Sequence, residues 1–203
     1  MKLFITGIGT DVGKTVASTI IVEALEADYW KPIQAGDLEI SDTHKVKSKI
    51  SNQKSHFHPN AYALNTPASP HYAAAVDGIS IDLKTIKEPT TKNHLVIEGA
   101  GGILVPINDT DCVVDLIRPD YKVIVVSRHY LGSINHTLLT LNALYCREIR
   151  IAGLIVNGNR NEASERIYRN HFPELHLSYI PELENFTPET VKAAAQQWKD
   201  QVL

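Results

Sequence analysis

The segment Gly7-Ile8-Gly9-Thr10-Asp11-Val12-Gly13-Lys14-Thr15 decides the fold of this 203-residue chain. It follows the apolar run Leu3-Phe4-Ile5 and precedes a segment of helical character, residues 16–27. A glycine-rich turn between a strand and a helix lets backbone N–H groups converge on phosphate oxygens, and the helix N-terminus adds positive potential. We therefore predict a phosphate-binding loop in which Lys14 reaches the outer phosphates and the Thr15 hydroxyl binds Mg²⁺.

The spacing of this loop departs from the standard G-x-x-x-x-G-K-[ST] pattern. Read from Gly7, it is one residue longer. The alternative interpretation is an ordinary strand-to-helix turn, because a short Gly-Lys-Thr sequence is common by chance. The preceding strand, the glycines and the place of the segment at the start of the chain favour the phosphate-binding interpretation.

Composition excludes several classes of protein. Apolar residues make up 43% and charged residues 21% of the chain, as in ordinary globular proteins. The net charge of −3 argues against nonspecific attraction to nucleic acid, and no apolar run reaches the length of a membrane span. The first residues have the pattern of a strand rather than of a signal peptide, and the two cysteines form no motif. We predict a cytoplasmic protein with no nucleic-acid or membrane partner.

Apolar strands alternate with helical patterns along the rest of the chain. We predict strands at 28–33, 94–98, 123–126, 151–156 and 177–180, and helices from 42 to about 50 and at 81–88, 133–146, 162–171 and 187–202. Residues 66–76 are expected to form a proline-punctuated loop that leads into a small helix. This alternation indicates an α/β fold with a mostly parallel sheet flanked by helices. Without a linker or repeat, residues 1–203 are expected to form a single domain. The second helix is rich in lysine (Lys45, Lys47 and Lys49) and is expected at the surface.

Residues that could carry chemistry follow the predicted strands. Ligands bind at the carboxyl ends of parallel strands, which is where Lys31, Glu98, the segment 127–132 and Asn157 fall. Glu98 is a candidate Mg²⁺ ligand, although it could also be a solvated strand end. Asp42 is a second candidate, but its local sequence favours the simpler interpretation of a helix N-cap at Ser41 or Asp42. Lys31 is either solvated or neutralises a transferring phosphoryl group.

These motifs together resemble the ATP-dependent dethiobiotin synthetases of biotin synthesis. The resemblance covers nearly the whole chain and rests on segments in the same order: residues 6–15, 30–36, 96–106, 131–140, 153–157 and 180–183. It implies a P-loop NTPase-like fold, ATP and Mg²⁺ as cofactors, and a homodimer. Lys14 and Lys31 would be catalytic, and Thr15, Asp42 and Glu98 would bind Mg²⁺. The implied nucleotide contacts are Asp11, Val12, Gly13, Lys14, Thr15, Val16, Asp42, Glu98, Gly99, Ala100, Gly101, Asn157, Gly158, Pro181 and Glu182.

The resemblance also implies the substrates, 7,8-diaminononanoate and CO₂ or bicarbonate. The implied substrate contacts are Thr10, Lys31, Ala35, Gly132, Ser133, Ile134 and Asn135. The last four would come from the other subunit and bind the carboxylate at a helix start, although Ser133 could also be a plain N-cap. Ile134, Leu138 and Leu141 would be buried either against the partner or against the sheet.

Three features depart from the family pattern. Ala35 stands where relatives usually have a hydroxyl residue, and Asp11 stands where some have glutamate. The connection from Lys31 to Asp42 is short, which makes the Asp42 alignment the weakest of the metal ligands.

A rival function is a nucleotide switch of the partition or septum-site ATPase type, which shares this architecture. Such ATPases carry an early loop lysine, K-G-G-x-G-K-[ST], where this chain has Gly9. Amidoligases of the same fold need a glutaminase domain for which this chain is too short. A plain small-molecule kinase would leave the glycine-rich block after Glu98 and the Ile134-Asn135-His136 block unexplained.

Overall fold

A computed structural model describes residues 1–202. The strands are β1 Lys2–Gly7, β2 Asp28–Trp30, β3 Ile33–Ala35, β4 Phe57–His58, β5 Tyr62–Leu64, β6 Leu95–Gly102, β7 Lys122–Arg128, β8 Ile151–Asn157 and β9 Leu177–Ile180. The helices are α1 Lys14–Leu25, α2 Asp42–Lys49, α3 Pro70–Val76, α4 Ser133–Tyr145, α5 Glu162–His171 and α6 Pro188–Val202. The predicted α/β class is confirmed.

Seven strands form a parallel sheet in the order β4-β2-β6-β1-β7-β8-β9. β1 lies at the centre, and its Phe4 and Ile5 are fully buried. Continuous apolar runs are expected for parallel strands, because helices cover both faces of such a sheet. All the parallel strands point the same way, so the loops after β1, β2, β6, β7 and β8 meet at one edge.

The helices pack in groups around this sheet. α1 contacts α2 and α6, whereas α4 contacts α5 and β7. Helix α6 also covers the outer edge of the sheet: Gln201 accepts a hydrogen bond from the Tyr179 N–H at 2.8 Å and donates one to its carbonyl at 3.1 Å. None of the helices within residues 1–202 is long and apolar enough to cross a membrane.

Two predicted elements are wrong. The strand expected over 28–33 breaks at Lys31-Pro32, because proline lacks the N–H that a continued ladder needs. The chain then enters a separate two-stranded sheet formed by β3 and β5. The helix expected over 81–88 is only a 3₁₀ turn, Leu83–Thr85. Ile81 and Ile86 are both buried in the core, and an α-helix would place them on different faces.

The start of α2 resolves the choice between two capping residues. Ser41 is the N-cap: its hydroxyl accepts from the His44 N–H at 3.4 Å, and the His44 ring accepts from the Ser41 N–H at 3.3 Å. Asp42 therefore does not cap the helix, and its carboxylate pairs with Lys31 instead. The apolar face predicted for α4 is only partly buried within the chain. Leu141 lies in the protein's own core, whereas Ile134 stays 37% exposed.

Candidate active site

A cleft of about 790 Å³ opens at the carboxyl edge of the sheet. It gathers side chains from the loop after β1, the end of β2, the start of α2 and the second half of β6. The predicted site residues that line it are Thr10, Asp11, Gly13, Lys14, Thr15, Val16, Lys31, Ala35, Asp42, Glu98, Ala100, Gly101 and Asn157. Segments far apart in sequence therefore meet in one concave site.

The loop between β1 and α1 has the geometry that its glycines permit. Gly13 has a φ of 96°, and a side chain there would lie 2.0 Å from the Asn157 amide nitrogen. Asn157 in turn donates to the Val12 carbonyl at 3.2 Å, which ties the end of β8 to the loop. Lys14 is 8% exposed and donates to the Gly9 carbonyl at 2.8 Å. Burial lowers the pKa of Lys14, and the Glu98 carboxylate opposes part of this shift.

Glu98 is fully buried and fully hydrogen-bonded. One carboxylate oxygen accepts from the Thr15 hydroxyl at 2.9 Å and from the Lys31 ammonium at 3.1 Å. The other accepts from the Tyr29 hydroxyl at 2.9 Å. Burial, followed by the Glu98 charge, raises the pKa of Tyr29 well above its ordinary value, so Tyr29 remains a donor. The interpretation of Glu98 as a solvated strand end does not fit this environment, because a buried carboxylate requires partners.

Lys31 forms the centre of a small buried ion cluster. Its ammonium lies 2.5 Å from Asp42 and 3.1 Å from Glu98, and the side chain is 5% exposed. Burial alone would lower the pKa of Lys31, but the Glu98 and Asp42 carboxylates outweigh it and raise the pKa overall. Burial alone would raise the pKa of Asp42, but the Lys31 ammonium outweighs burial and holds this pKa below its usual range. Lys31 and Asp42 are therefore both charged at neutral pH.

The donor set suits magnesium. Thr15, Asp42 and Glu98 offer only oxygen atoms, and both carboxylates already converge on one cation, Lys31. Within residues 1–202 no cluster of three or more His, Cys, Asp or Glu could hold a metal by itself. Mg²⁺ does not need one, because it is usually held by one or two carboxylates together with substrate phosphates. The residues present fit the metal.

Arg128 and Phe186 line the far side of the cleft with Asn157. Arg128 ends β7 and donates to Glu182 at 2.9 Å, across Gly158. Glu182 and Gly158 thus lie at the rim, outside the lining of the described cleft. Pro181 is exposed beside them.

Other predicted site residues lie away from the cleft in the described chain. Val12 is 2% exposed and packs inward near Gly7. Gly99 also faces the core, since a side chain there would lie 3.2 Å from the Phe4 ring. The remaining four, Gly132, Ser133, Ile134 and Asn135, begin α4 outside the cleft of their own chain.

Sequence reasoning missed Ile33, Gln34, Lys45, Val105, Phe186 and the stretch 67–70, all of which line the cleft. Arg128 also lines it and belongs to the segment 127–132, which the strand-end rule predicts at this edge of the sheet. Gln34 is 4% exposed and links Gly36 to the N–H of Asp42. Nothing in the sequence near Phe186 signals a site.

Comparison with known proteins shows which class of protein shares this architecture. A family model described as an AAA domain matches residues 1–190. The cell division ATPase MinD of Pyrococcus furiosus aligns with a TM-score of 0.60 over 98% of each chain at 13% identity. MinD of Pyrococcus horikoshii, complexed with Mg-ADP, aligns with a TM-score of 0.58 over 100% of this chain and 95% of that one at 15% identity. The fold and the cleft define a protein of the P-loop NTPase class.

Sequence relatives narrow the class to a family. ATP-dependent dethiobiotin synthetase BioD of Christiangramia forsetii is 53% identical over 97% of this chain and 95% of its own. The enzyme of the same name from Cytophaga hutchinsonii is 52% identical over 96% and 95%. The chain belongs to the ATP-dependent dethiobiotin synthetase family, as its motifs predict. The rival function of a switch ATPase has support only from distant structures, which share the fold alone.

Proposed function

We propose that this chain, a single synthetase domain over residues 1–203, converts 7,8-diaminononanoate, CO₂ and ATP into dethiobiotin, ADP and phosphate. The observation that carries the proposal is the buried cluster of Lys31, Asp42 and Glu98 beside Thr15 of the phosphate-binding loop. Identity of 53% to a dethiobiotin synthetase along almost the whole chain supports the substrate class. A biosynthetic activity that consumes ATP fits the cytoplasm, which we propose as its location.

The reaction divides into three steps. One amine of the diamine attacks CO₂, loses a proton and becomes a carbamate. A carbamate oxygen then attacks the γ-phosphorus of ATP, and ADP leaves. The second amine attacks the carbonyl of the resulting carbamic-phosphoric anhydride, phosphate and a proton leave, and the ureido ring closes. None of these steps needs a protein nucleophile, so the protein contributes position and charge.

Lys14 and Lys31 supply positive charge around the reacting phosphoryl group. The raised pKa of Lys31 keeps it an ammonium, which suits charge neutralisation and excludes a role as general base at neutral pH. Lys14 donates to the Gly9 carbonyl across the loop, where phosphate oxygens are stronger acceptors. Preorganised donors of this kind are typically worth about 3 kcal/mol each in barrier lowering.

Mg²⁺ would be held by Thr15, Asp42 and Glu98. When bound, it would neutralise negative charge on the nucleotide phosphates. Tyr29 fixes the orientation of Glu98 through its hydrogen bond, and Gln34 fixes the start of α2 that carries Asp42.

The remaining predicted residues divide between the two substrates. We propose that the backbone and side chains of 11–16 and 98–101 contact the phosphates, and that Asn157, Gly158, Pro181 and Glu182 lie at the nucleoside end. Thr10 and Ala35 would contact the diamine. Ala35 lines the cleft without a hydroxyl, so the diamine loses one hydrogen bond there.

A homodimer would complete the site. The surface around α4 exposes Leu131 fully, Leu139 at 59%, Tyr145 at 70% and Ile134 at 37%. Large apolar side chains exposed together on and beside one helix suit a protein interface. We propose that α4 of one subunit packs on the other and presents the N–H groups of 132–135 to the carboxylate of the diamine.

A coupled assay tests the proposed activity. ADP release is followed with ATP and Mg²⁺, with and without the diamine and bicarbonate, and dethiobiotin is identified by mass. ADP release that depends on both added substrates, together with the product mass, supports the proposal. ADP release indifferent to the diamine, with no product, contradicts it and favours a switch ATPase.

A further inference from the structure

Helix α2 presents two charged side chains to the cleft, Asp42 and Lys45. The sequence predicts a lysine-rich helix lying on the surface, and for Lys47 the structure agrees, because this residue is exposed. Lys45 differs: it lies one turn after Asp42 on the same face and is only 41% exposed. Lys45 therefore lies at the surface and at the same time lines the cleft.

The cations of the cleft are not equally constrained. Lys14 is bonded to the Gly9 carbonyl, Lys31 to both carboxylates, and Arg128 to Glu182 at 2.9 Å. The ammonium of Lys45 lies 3.4 Å from Asp42, whose other oxygen Lys31 already holds at 2.5 Å. A half-exposed ion pair of that length contributes little stability.

Lys45 therefore has both the position and the freedom to engage an anion in the cleft. Its four-carbon stem reorients at little cost. An incoming oxyanion between α2 and the phosphate-binding loop would face Lys45 from one side and Lys14 from the other, since both residues line the same cleft.

We propose that Lys45 is a further catalytic residue, which contacts an oxyanion of the reacting group at the α2 side of the cleft. This proposal rests on the proposed synthetase function. Two groups carry that oxyanion, the terminal phosphoryl of ATP and the carbamate of the diamine. Lys45 leaves Asp42 for this oxyanion when the substrates bind.

The test compares Lys45→Met and Lys45→Arg with the matched control Lys47→Met, on the same helix but exposed. We expect Lys45→Met to lower kcat/KM at least about tenfold, which is less than the roughly 100-fold typical of a fully preorganised donor because Lys45 is half-exposed. Lys45→Arg keeps the charge and recovers part of the activity, and Lys47→Met behaves as the unaltered protein. Circular dichroism and thermal melting verify that the variants fold.

Calorimetry separates the two sources of the oxyanion. If Lys45→Met weakens the Mg²⁺ complex of a non-hydrolysable ATP analogue but not Mg-ADP, the contact is to the terminal phosphoryl. If it instead weakens the diamine only when bicarbonate is present, the contact is to the carbamate. The nucleotide titration needs no turnover, so it tests Lys45 even if diamine-dependent activity is absent and the proposed function fails.

Two results would overturn the proposal. The first is a Lys45→Met variant whose kcat/KM and affinities stay within twofold of those of Lys47→Met. The second is a variant whose only change is a higher Mg²⁺ requirement, because Lys45 would then act through Asp42 and not on the substrate.

Discussion

At the scale of single residues, Glu98 shows how burial sets a role. The carboxylate is fully buried and accepts from Thr15, Tyr29 and Lys31. Each of these partners is a donor, so the arrangement stabilises the charged form, and a neutral amide in its place would lose part of that match. An oxygen-rich, charged group beside the phosphate-binding loop is what Mg²⁺ requires.

We expect Glu98→Gln to raise the Mg²⁺ concentration needed for half-maximal activity, because an amide oxygen binds the metal more weakly than a carboxylate. Mg-ATP should also bind more weakly, while metal-free ATP should bind nearly unchanged. Calorimetric titration of ATP with and without Mg²⁺ measures both. Glu39→Gln, at an exposed position, is the control. An unchanged metal dependence in a folded Glu98→Gln protein would remove Glu98 from the ligand set.

Lys14 and Thr15 allow a second test at this scale. Lys14→Ala removes an ammonium from the cleft, and Thr15→Val removes the hydroxyl that donates to Glu98. Each should lower kcat by about 100-fold or more, since one transition-state donor is typically worth that much. Melting temperatures should change little for Lys14→Ala, because burial disfavours this charge in the folded protein. Near-normal turnover in a folded Lys14→Ala protein would contradict the assignment of the loop.

Local pattern explains why these residues were predictable. The phosphate-binding loop and Glu98 follow directly from a strand, and backbone geometry after a strand is a short-range property. Lys45 was not predictable in the same way. Its direction depends on how α2 packs against α1 and on Ser41, rather than Asp42, capping the helix. Phe186 reaches the cleft only because the loop after β9 folds back, which no local pattern encodes.

At the scale of secondary-structure elements, Asp28 joins three strands. This nearly buried residue begins β2 and accepts from the Thr91 hydroxyl at 2.6 Å, the Asn93 amide at 3.1 Å and the His56 N–H at 3.0 Å. Burial acts to raise the pKa of Asp28, but the hydrogen bonds, from Thr91 first, outweigh it and lower the pKa. The carboxylate thus ties β2 to the segments leading into β6 and β4.

We expect Asp28→Asn to destabilise the protein by about 1–3 kcal/mol at neutral pH, as for hydrogen bonds to a charged group. Because the pKa of Asp28 is lower in the folded protein, its carboxylate stabilises the fold at pH values above the unfolded-state pKa of about 3.9. This contribution is lost as the pH falls through the folded-state pKa. The variant should therefore lose less stability than the unaltered protein on acidification below about pH 4. Urea unfolding at several pH values, with exposed Asp109→Asn as control, measures this. Parallel pH profiles would show that Asp28 is not the group responsible.

The elements themselves were predictable in type more than in extent. β8, α5 and β9 fall where the apolar pattern puts them, because burial on a sheet or one helix face repeats with a fixed period. The break at Lys31-Pro32 has a local cause, the missing N–H of proline, and the sequence prediction gave it too little weight. The 3₁₀ turn at Leu83–Thr85 depends on the tertiary contacts that bury both Ile81 and Ile86.

At the scale of the whole molecule, the proposed shared site can be tested by mixing two inactive variants. Lys14→Ala removes the proposed phosphate contact, and Asn135→Trp blocks the start of α4. Asn135 is exposed and suits a bulky residue, whereas Gly132 has a φ of 97° and would be strained by any side chain. In a heterodimer, one site carries both lesions and the other carries neither.

Mixed subunits should therefore regain activity, approaching one quarter of the unaltered level if chains pair at random. Native mass spectrometry verifies that heterodimers form, and the separate variants give the baseline. Absence of recovery in confirmed heterodimers would show that α4 does not complete the site of its partner.

The outer edge of the sheet limits how copies of this chain can associate. Gln201 bonds both backbone groups of Tyr179 on β9, and β4 at the opposite edge is only Phe57–His58. Open edges invite strand-to-strand stacking that repeats without end, whereas a self-complementary patch closes after two copies. With one edge occupied by its own side chain and the other too short to extend, the chain is protected against fibre-like growth. We therefore expect association to use the apolar surface of α4, which the proposed homodimer would bury in a closed pair.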